Sequence, residues 1–343
     1  MQFILTVKNF GKIEEAKIQV KNLTVLAGPN NSGKSFVSKA LYSFFKTMNT
    51  SKIRDEILSQ QNTSQIVGTS LKNELKGNFQ VAKLKELSSK ETIFSLGDFA
   101  QINLSGEEVF FSIKIKPEPY LEIFQNLSHV IYLESPIYLK LKSALGVHLS
   151  LAHRHKYITG VPDYFYALTD LLTLQSMNEP EFIEVLHRIE KSIGGQLKLS
   201  NEGNFVFSDD NGTYPVATTA LGVANLGLLA LLLEKNLLDS DSFLFIDEPE
   251  AHLHPQWQVV LIEVLYELAK AGVNIMIATH SLDMIKYLEV IRKKEELAES
   301  LIALNCLTIE GKTIQEEANF DTKLNAIKQE LSEPFYNLYL EAL

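Results

Sequence analysis

Two adjacent carboxylates, Asp247 and Glu248, follow four apolar residues, Phe243 to Ile246, and open the stretch DEPEAHLHP. Acids so placed can divide labour: one supports a divalent cation and the next polarises a water. Far earlier in the chain, Gly28 to Ser35 reads GPNNSGKS and fits G-x-x-x-x-G-K-[ST]. Gly28 and Gly33 let the backbone turn its N–H groups toward phosphates. Lys34 offers a point charge for β- and γ-phosphates, and Ser35 a hydroxyl for Mg²⁺. A third stretch, Asn274-Ile-Met-Ile-Ala-Thr-His-Ser281, delivers His280 at the end of another apolar run. A phosphate cradle, a metal-supporting acid, a base and an imidazole are together parts for hydrolysing a nucleoside triphosphate.

These parts need strands that end at one edge. Phe243 to Ile246 is short and wholly apolar, as expected of a strand buried on both faces. In an open α/β sheet, ligands gather at the carboxyl ends of the strands, so Asp247-Glu248 reads as a Walker B pair. Pro249 is expected to hold Glu248 extended and to delay the next helix. The phosphate loop follows an apolar strand, Leu23 to Ala27, and precedes a helical pattern of Phe36, Val37, Ala40, Leu41, Phe44 and Phe45. That strand, loop and helix order is the context a Walker A match requires. One helix, Gln256 to Ala271, separates the Walker B strand from the His280 strand, which predicts a βαβ unit with parallel neighbours. The candidate nucleotide-binding set is Gly28, Pro29, Asn30, Asn31, Ser32, Gly33, Lys34, Ser35 and Phe36, with Ser35 and Asp247 at the metal. Lys34, Glu248 and His280 are the candidates for the chemistry, and ATP with Mg²⁺ are the cofactors.

At 343 residues and 45% hydrophobic, the chain can bury a large core; its length permits two domains without requiring them. A single cysteine, Cys306, excludes an internal disulfide framework and suits a reducing compartment. Met1-Gln-Phe-Ile-Leu lacks a basic signal region, and the longest apolar run, Leu226 to Leu233, falls far short of a membrane span. A cytoplasmic protein with no membrane partner is expected. The net charge of −10 argues against general attraction to nucleic acid, which leaves only a local patch for such a partner.

Five stretches carry a resemblance: NFGKI (Asn9 to Ile13), GPNNSGKS, YLESP (Tyr132 to Pro136), DEPEAHLHPQW (Asp247 to Trp257) and ATHS (Ala278 to Ser281). The chain resembles the stand-alone prokaryotic AAA family ATPases of the ABC-type branch. It is similar to the ATPase part of the overcoming-lysogenisation-defect (OLD) nucleases and, more distantly, to chromosome-condensation and break-repair ATPases. DEPEAHLHP is the most specific part, because it separates this group from transporter ATPases. The resemblance covers most of the chain, least between Met48 and Val130. It implies an α/β fold of the P-loop NTPase, ABC-ATPase head type, a parallel-rich sheet flanked by helices. An N-terminal antiparallel hairpin beside the nucleotide base and an inserted arm subdomain complete that fold. It also implies a homodimer closed by ATP. Relatives carry a Ser-Gly signature at a helix N-terminus, whose free N–H groups bind the γ-phosphate of the partner subunit. Here Leu221 stands in place of the Ser, Gly222 is kept, and Ala224 occupies a position where a basic residue is common. The backbone donors survive and the hydroxyl does not, so slow hydrolysis is expected.

In chain order, Phe3 to Val7 and Ala16 to Val20 alternate like a hairpin turned at Asn9-Phe10-Gly11, either the one that the resemblance sets beside the nucleotide base or an ordinary edge hairpin. Residues from about 48 to 130 read as the inserted arm, with helical stretches over Ser51 to Ser64 and Gln65 to Leu75. Strand-like segments follow at Thr92 to Ser95, Gln101 to Leu104 and Val109 to Ile115. Val130 to Leu133 is a buried strand, and Glu134 at its end is either an outer support of the site or a polar strand end. A helical lobe over about 137–203 has helices through Leu172 and from Glu181 to Ile193, stopped by Gly194-Gly195. Within it, His153, Arg154, His155 and Lys156 have no acid or cysteine to complete a metal site and read as a solvated face or contact patch. His129, His148 and His187 read as ordinary histidines. The Walker B and His-motif lobe runs from about 204 to 343, with a helix from Asp321 to Leu331 ending near Pro334 and a last helix bearing Phe335, Leu338, Tyr339 and Ala342.

No nuclease, protease or transferase constellation is visible beyond residue 282. The expected function is therefore a slowly hydrolysing dimeric switch acting on a separate effector, a nuclease or toxin in phage defence by the resemblance alone. A nucleotide-binding structural subunit without significant hydrolysis, and a DNA-maintenance ATPase, are the alternatives.

Overall fold

The computed structural model of the chain describes residues 2–50, 53, 63–88, 90–113, 126–134, 139–140, 160–174, 178–200 and 203–341. It opens on the expected hairpin, β1 (Phe3–Phe10) against β2 (Ile13–Val20), antiparallel with Phe10 opposite Ile13. The turn needs positive φ at Asn9 and Gly11, and a Cβ on Gly11 would lie 2.4 Å from the Phe36 ring. β3 (Leu23–Ala27) then leads through the glycine-rich loop into α1 (Lys34–Met48). The stretch expected as an inserted arm contributes, in its described part, α2 (Thr63–Phe79), β4 (Thr92–Leu96), β5 (Ala100–Ser105) and β6 (Glu108–Ile113). β4 pairs with β1, placing Phe94 opposite Val7, so these strands widen the hairpin into a sheet of order β2-β1-β4-β5-β6.

The remaining elements are β7 (Val130–Leu133), α3 (Asp163–Thr173), α4 (Ile183–Ile193), β8 (Gln196–Leu199), β9 (Phe205–Asp209), β10 (Gly212–Pro215) and α5 (Leu221–Glu234). They continue as β11 (Phe243–Asp247), α6 (Pro255–Lys270), β12 (Asn274–Thr279), α7 (Leu282–Lys294), β13 (Ile302–Leu307), β14 (Thr313–Ile314) and α8 (Phe320–Glu341). The central sheet has the order β14-β13-β3-β12-β11-β7, parallel except for β14. α4 ends as expected at Gly194, whose φ of 72° is the left-handed stop that glycine adopts without penalty.

Alternation along the strands divides the core in two. Phe243, Phe245, Tyr132, Met276 and Leu26 face one side and pack with α1, where Phe45 meets Phe243 at 4.8 Å between ring centroids. Leu244, Ile246, Ile275, Ile277, Val25 and Leu304 face the other side and pack with α4, α5, α6 and α7. The apolar run Leu226 to Leu233 lies in that second core, where each fully buried leucine is worth about 1.5–3 kcal/mol. Among the described residues, no helix is long and apolar enough to cross a membrane.

The end of the chain departs from the sequence reading. α8 runs without a break from Phe320 to Glu341, through Pro334, where two helices were expected. A proline in a helix interior removes one backbone bond. Before that point, buried Leu324 and Ile327, the Lys328–Glu289 ion pair and an Arg292–Asp321 pair at 3.0 Å hold the helix against α7. His148, the group His153 to Lys156, and most of the helix expected over Ser51 to Ser64 lie outside the described residues.

Candidate functional site

Parallel register brings four strand ends to one edge. Ile246 lies beside Leu133, Asp247 beside Ala278, and Thr279 beside Ala27. The residues that follow each strand, Gly28, Glu134 and His280, therefore emerge together with Glu248. β12 lies between the Walker A strand β3 and the Walker B strand β11.

The loop from Gly28 to Gly33 is shaped by positive φ at Gly28 (149°), Asn31 (65°) and Gly33 (95°). A Cβ on Gly28 would sit 2.3 Å from the Leu307 carbonyl, so the backbone tolerates no side chain there. Lys34 is only 5% exposed, and its Nζ donates to the carbonyls of Gly28 at 2.8 Å and Pro29 at 2.7 Å. Burial pushes its pKa down, opposed by the charges of Asp247, Glu248 and Glu250. A partly desolvated cation closed over its own loop carbonyls fits an anion that would take their place. Asn30, Asn31, Ser32, Gly33, Lys34, Ser35 and Phe36 line one open pocket, and Glu248 closes it from β11. Lys12, from the hairpin turn, lines the same pocket; the resemblance implies a hairpin beside the nucleotide but names no cation there.

The metal set also fits. Ser35 Oγ donates to Asp247 Oδ1 at 2.9 Å, joining the phosphate loop to the Walker B strand. Asp247 is 7% exposed, and burial raises its pKa, with the Ser35 hydrogen bond and Lys39 pulling it back. A buried carboxylate beside a hydroxyl is the hard oxygen donor set that Mg²⁺ takes. Tyr132 Oη donates to the other oxygen of Asp247 at 3.4 Å. At the end of β7, Glu134 accepts from Lys39 at 2.6 Å and from the Tyr164 hydroxyl, which makes it an anchored carboxylate near Asp247.

Glu248 is not extended. Its φ is 49°, although Pro249 follows, and its backbone N–H donates to the Ala278 carbonyl at 2.8 Å. Strained backbone of this kind persists where surrounding bonds fix it, and here it turns the side chain off the strand direction, 49% exposed. His280 Nδ1 lies 3.8 Å from Glu248 Oε1 and 3.3 Å from Glu250 Oε1. Glu250 was not among the sequence candidates. It is buried at 7% exposure, a signal that becomes visible only once β11 and β12 are known to be neighbours.

Leu221 and Gly222 form the first turn of α5, whose N-cap, Ala220, supplies no side-chain cap. The donors that a phosphate would use are therefore not taken by a capping side chain. Lys140 Nζ bonds the carbonyls of Ala217 at 3.1 Å and Thr219 at 2.9 Å, bringing a cation to that turn which the sequence reading did not name. Gly222 has an intramolecular role: a Cβ there would lie 2.7 Å from the His252 carbonyl in the loop after Walker B. Gly222→Ala is expected to lower stability by about 1–3 kcal/mol, the usual cost of overpacking, read by urea denaturation. An unchanged midpoint would show that the two loops can separate freely.

A model of the family described as the AAA ATPase domain matches residues 4–123 and 164–285. No curated protein matches the chain. Among solved structures, the SMC head domain from Thermotoga maritima is similar at 14% identity and a TM-score of 0.44, covering 84% of this chain and 92% of that one. An Smc head domain bound to the C-terminal domain of ScpA, from Pyrococcus furiosus, is similar at 12% identity and 0.44, covering 96% and 99%. The ATP-binding cassette of an ABC transporter, in its ADP conformation, is similar at 16% identity and 0.38, covering 99% of both chains.

Proposed function

Since the chain belongs to the AAA ATPase domain family, we propose that it binds ATP with Mg²⁺ and hydrolyses it slowly, as a homodimer whose ATP-closed form acts on a separate effector. The observation that carries this reading is the 2.9 Å bond between Ser35 and Asp247, with Glu248 and His280 delivered to the same edge. Lys34 and the loop N–H groups hold the phosphates, while Ser35 and Asp247 hold the metal. Bound Mg²⁺ supplies charge neutralisation and orientation of the transferred phosphoryl group. Glu248 accepts the proton of the attacking water, and His280 contacts the γ-phosphate side of the pocket. The chemistry left to the protein is positioning and charge stabilisation.

Leu221 sets the rate. Were the α5 turn to face the nucleotide of a second subunit, a hydroxyl at this position would donate to its γ-phosphate; leucine has no donor. A hydrogen bond to a charged group is worth about 1.5–3 kcal/mol, or roughly tenfold to a hundredfold in rate. Leu221→Ser is therefore expected to raise basal turnover and tighten ATP-dependent dimerisation by up to that factor. Steady-state ATPase and light scattering of both forms at matched concentration make the test. Fast wild-type turnover that the serine leaves unchanged would remove Leu221 from the site.

The effector, a nuclease or toxin of phage defence, rests on the resemblance to OLD-type ATPase parts, and the cytoplasmic setting on the single cysteine and the short apolar runs. Affinity purification with ATP from the native cell tests this reading, and recovery of DNA alone would favour the DNA-maintenance ATPase. A structural subunit that binds ATP without hydrolysis is the second reading, and Leu221 is the residue that favours it.

A further inference from the structure

The residue that holds the site's histidine in place is one that the Walker pattern does not name. Glu250 stands three residues beyond Asp247 and is buried, while Glu248 between them is exposed. Its Oε1 accepts from the Thr279 hydroxyl at 2.7 Å and from the His280 backbone N–H at 2.8 Å, and faces His280 Nδ1 at 3.3 Å. Its Oε2 is buried with no bonding partner among the described residues, so there a single oxygen gathers the polar contacts of the side chain.

We propose that Glu250 is a positioning residue: it fixes the backbone and ring of His280 together and thereby determines which ring nitrogen is offered to the pocket. This rests on the role given to His280 above. With the ring hydrogen on Nδ1, that nitrogen is the one that can donate to the carboxylate 3.3 Å away. In the neutral ring Nδ1 then carries the hydrogen, and Nε2 is left for the pocket side. Without Glu250 the imidazole, 43% exposed, loses its orienting contact and turns with solvent. Glu250 itself lines neither the phosphate loop nor the metal pair. Its charge supports Lys34 less than those of Asp247 and Glu248 do, so its expected effect is chiefly on turnover and small on nucleotide capture.

Two measurements test the assignment. In the first, Glu250→Ala is expected to lower kcat about tenfold to a hundredfold, the usual weight of a group that orients a functional imidazole, with KM for ATP within about twofold. Glu250→Gln, which retains an acceptor oxygen, should recover most of the loss. In a His280→Ala background the same Glu250→Ala change should add less than about twofold, because two groups acting as one unit are not additive. Full activity of Glu250→Ala, or an equal loss in both backgrounds, would overturn the proposal. The second measurement needs no variant at position 250. Long-range proton–nitrogen NMR of the wild-type imidazole, assigned by the signal missing in His280→Ala, should show the hydrogen on Nδ1. A hydrogen on Nε2 would overturn the proposal even if Glu250→Ala does not fold. Wild-type turnover by His280→Ala is a separate failure: it removes the γ-phosphate role of His280, and with it the catalytic consequence drawn here.

Discussion

Glu248→Gln is expected to bind ATP as tightly as the wild type and to turn it over about 10²–10⁴-fold more slowly, the usual loss when a general base is removed. The substitution keeps volume and backbone and takes the negative charge, and with it the capacity to accept a proton. The side chain is half exposed, so no packing is lost, and the Ser35–Asp247 pair is not part of the change. The left-handed φ of Glu248 is fixed by its backbone bond to Ala278, which glutamine also makes. Binding and hydrolysis are thus separated, and a dimer stable in ATP and Mg²⁺ should accumulate on size exclusion. Normal hydrolysis by this variant would show that another group activates the water.

The sheet was legible because its strands are covered on both faces. A strand such as Phe243 to Ile246 must be apolar throughout, and such runs are rare enough to count and order. Strand ends fix the site once the sheet is parallel, so Lys34, Ser35, Asp247, Glu248 and His280 could be named from three short stretches. β1 and β2 were legible for a different reason, a turn closed by Asn9 and Gly11 between alternating segments.

What the sequence hid depends on contacts between distant segments. The partner of β4 is β1, and no local pattern says which sheet the strands of the inserted stretch join. Glu250 looks like a loop acid until Thr279 and His280 are placed beside it. Proline restricts the residue before it to extended backbone, but the hydrogen bond from the Glu248 N–H to Ala278 outweighs that local preference. Pro334 is a local stop signal, and the contacts of Leu324, Ile327 and Lys328 set the helix direction before it.

Lys34→Ala should cost most of the ATP affinity while the fold survives. In the structure the ammonium serves only its own loop, bonding the carbonyls of Gly28 and Pro29. Removing it leaves those carbonyls short of a donor, a cost of about 1–3 kcal/mol for a buried group. It also removes a cation whose burial already disfavours its charged form, which offsets part of that cost. The net effect on stability should be small beside the effect on binding. Each hydrogen bond to a charged phosphate oxygen is worth about 1.5–3 kcal/mol, so losing two weakens ATP by on the order of 10²–10⁴-fold. Arginine should not restore it, because its wide planar fork does not fit a cradle built around a point charge. Calorimetric titration with ATP and Mg²⁺, beside a thermal melt of the same sample, separates the two effects. Wild-type affinity in a folded Lys34→Ala protein would place the phosphates somewhere other than this loop.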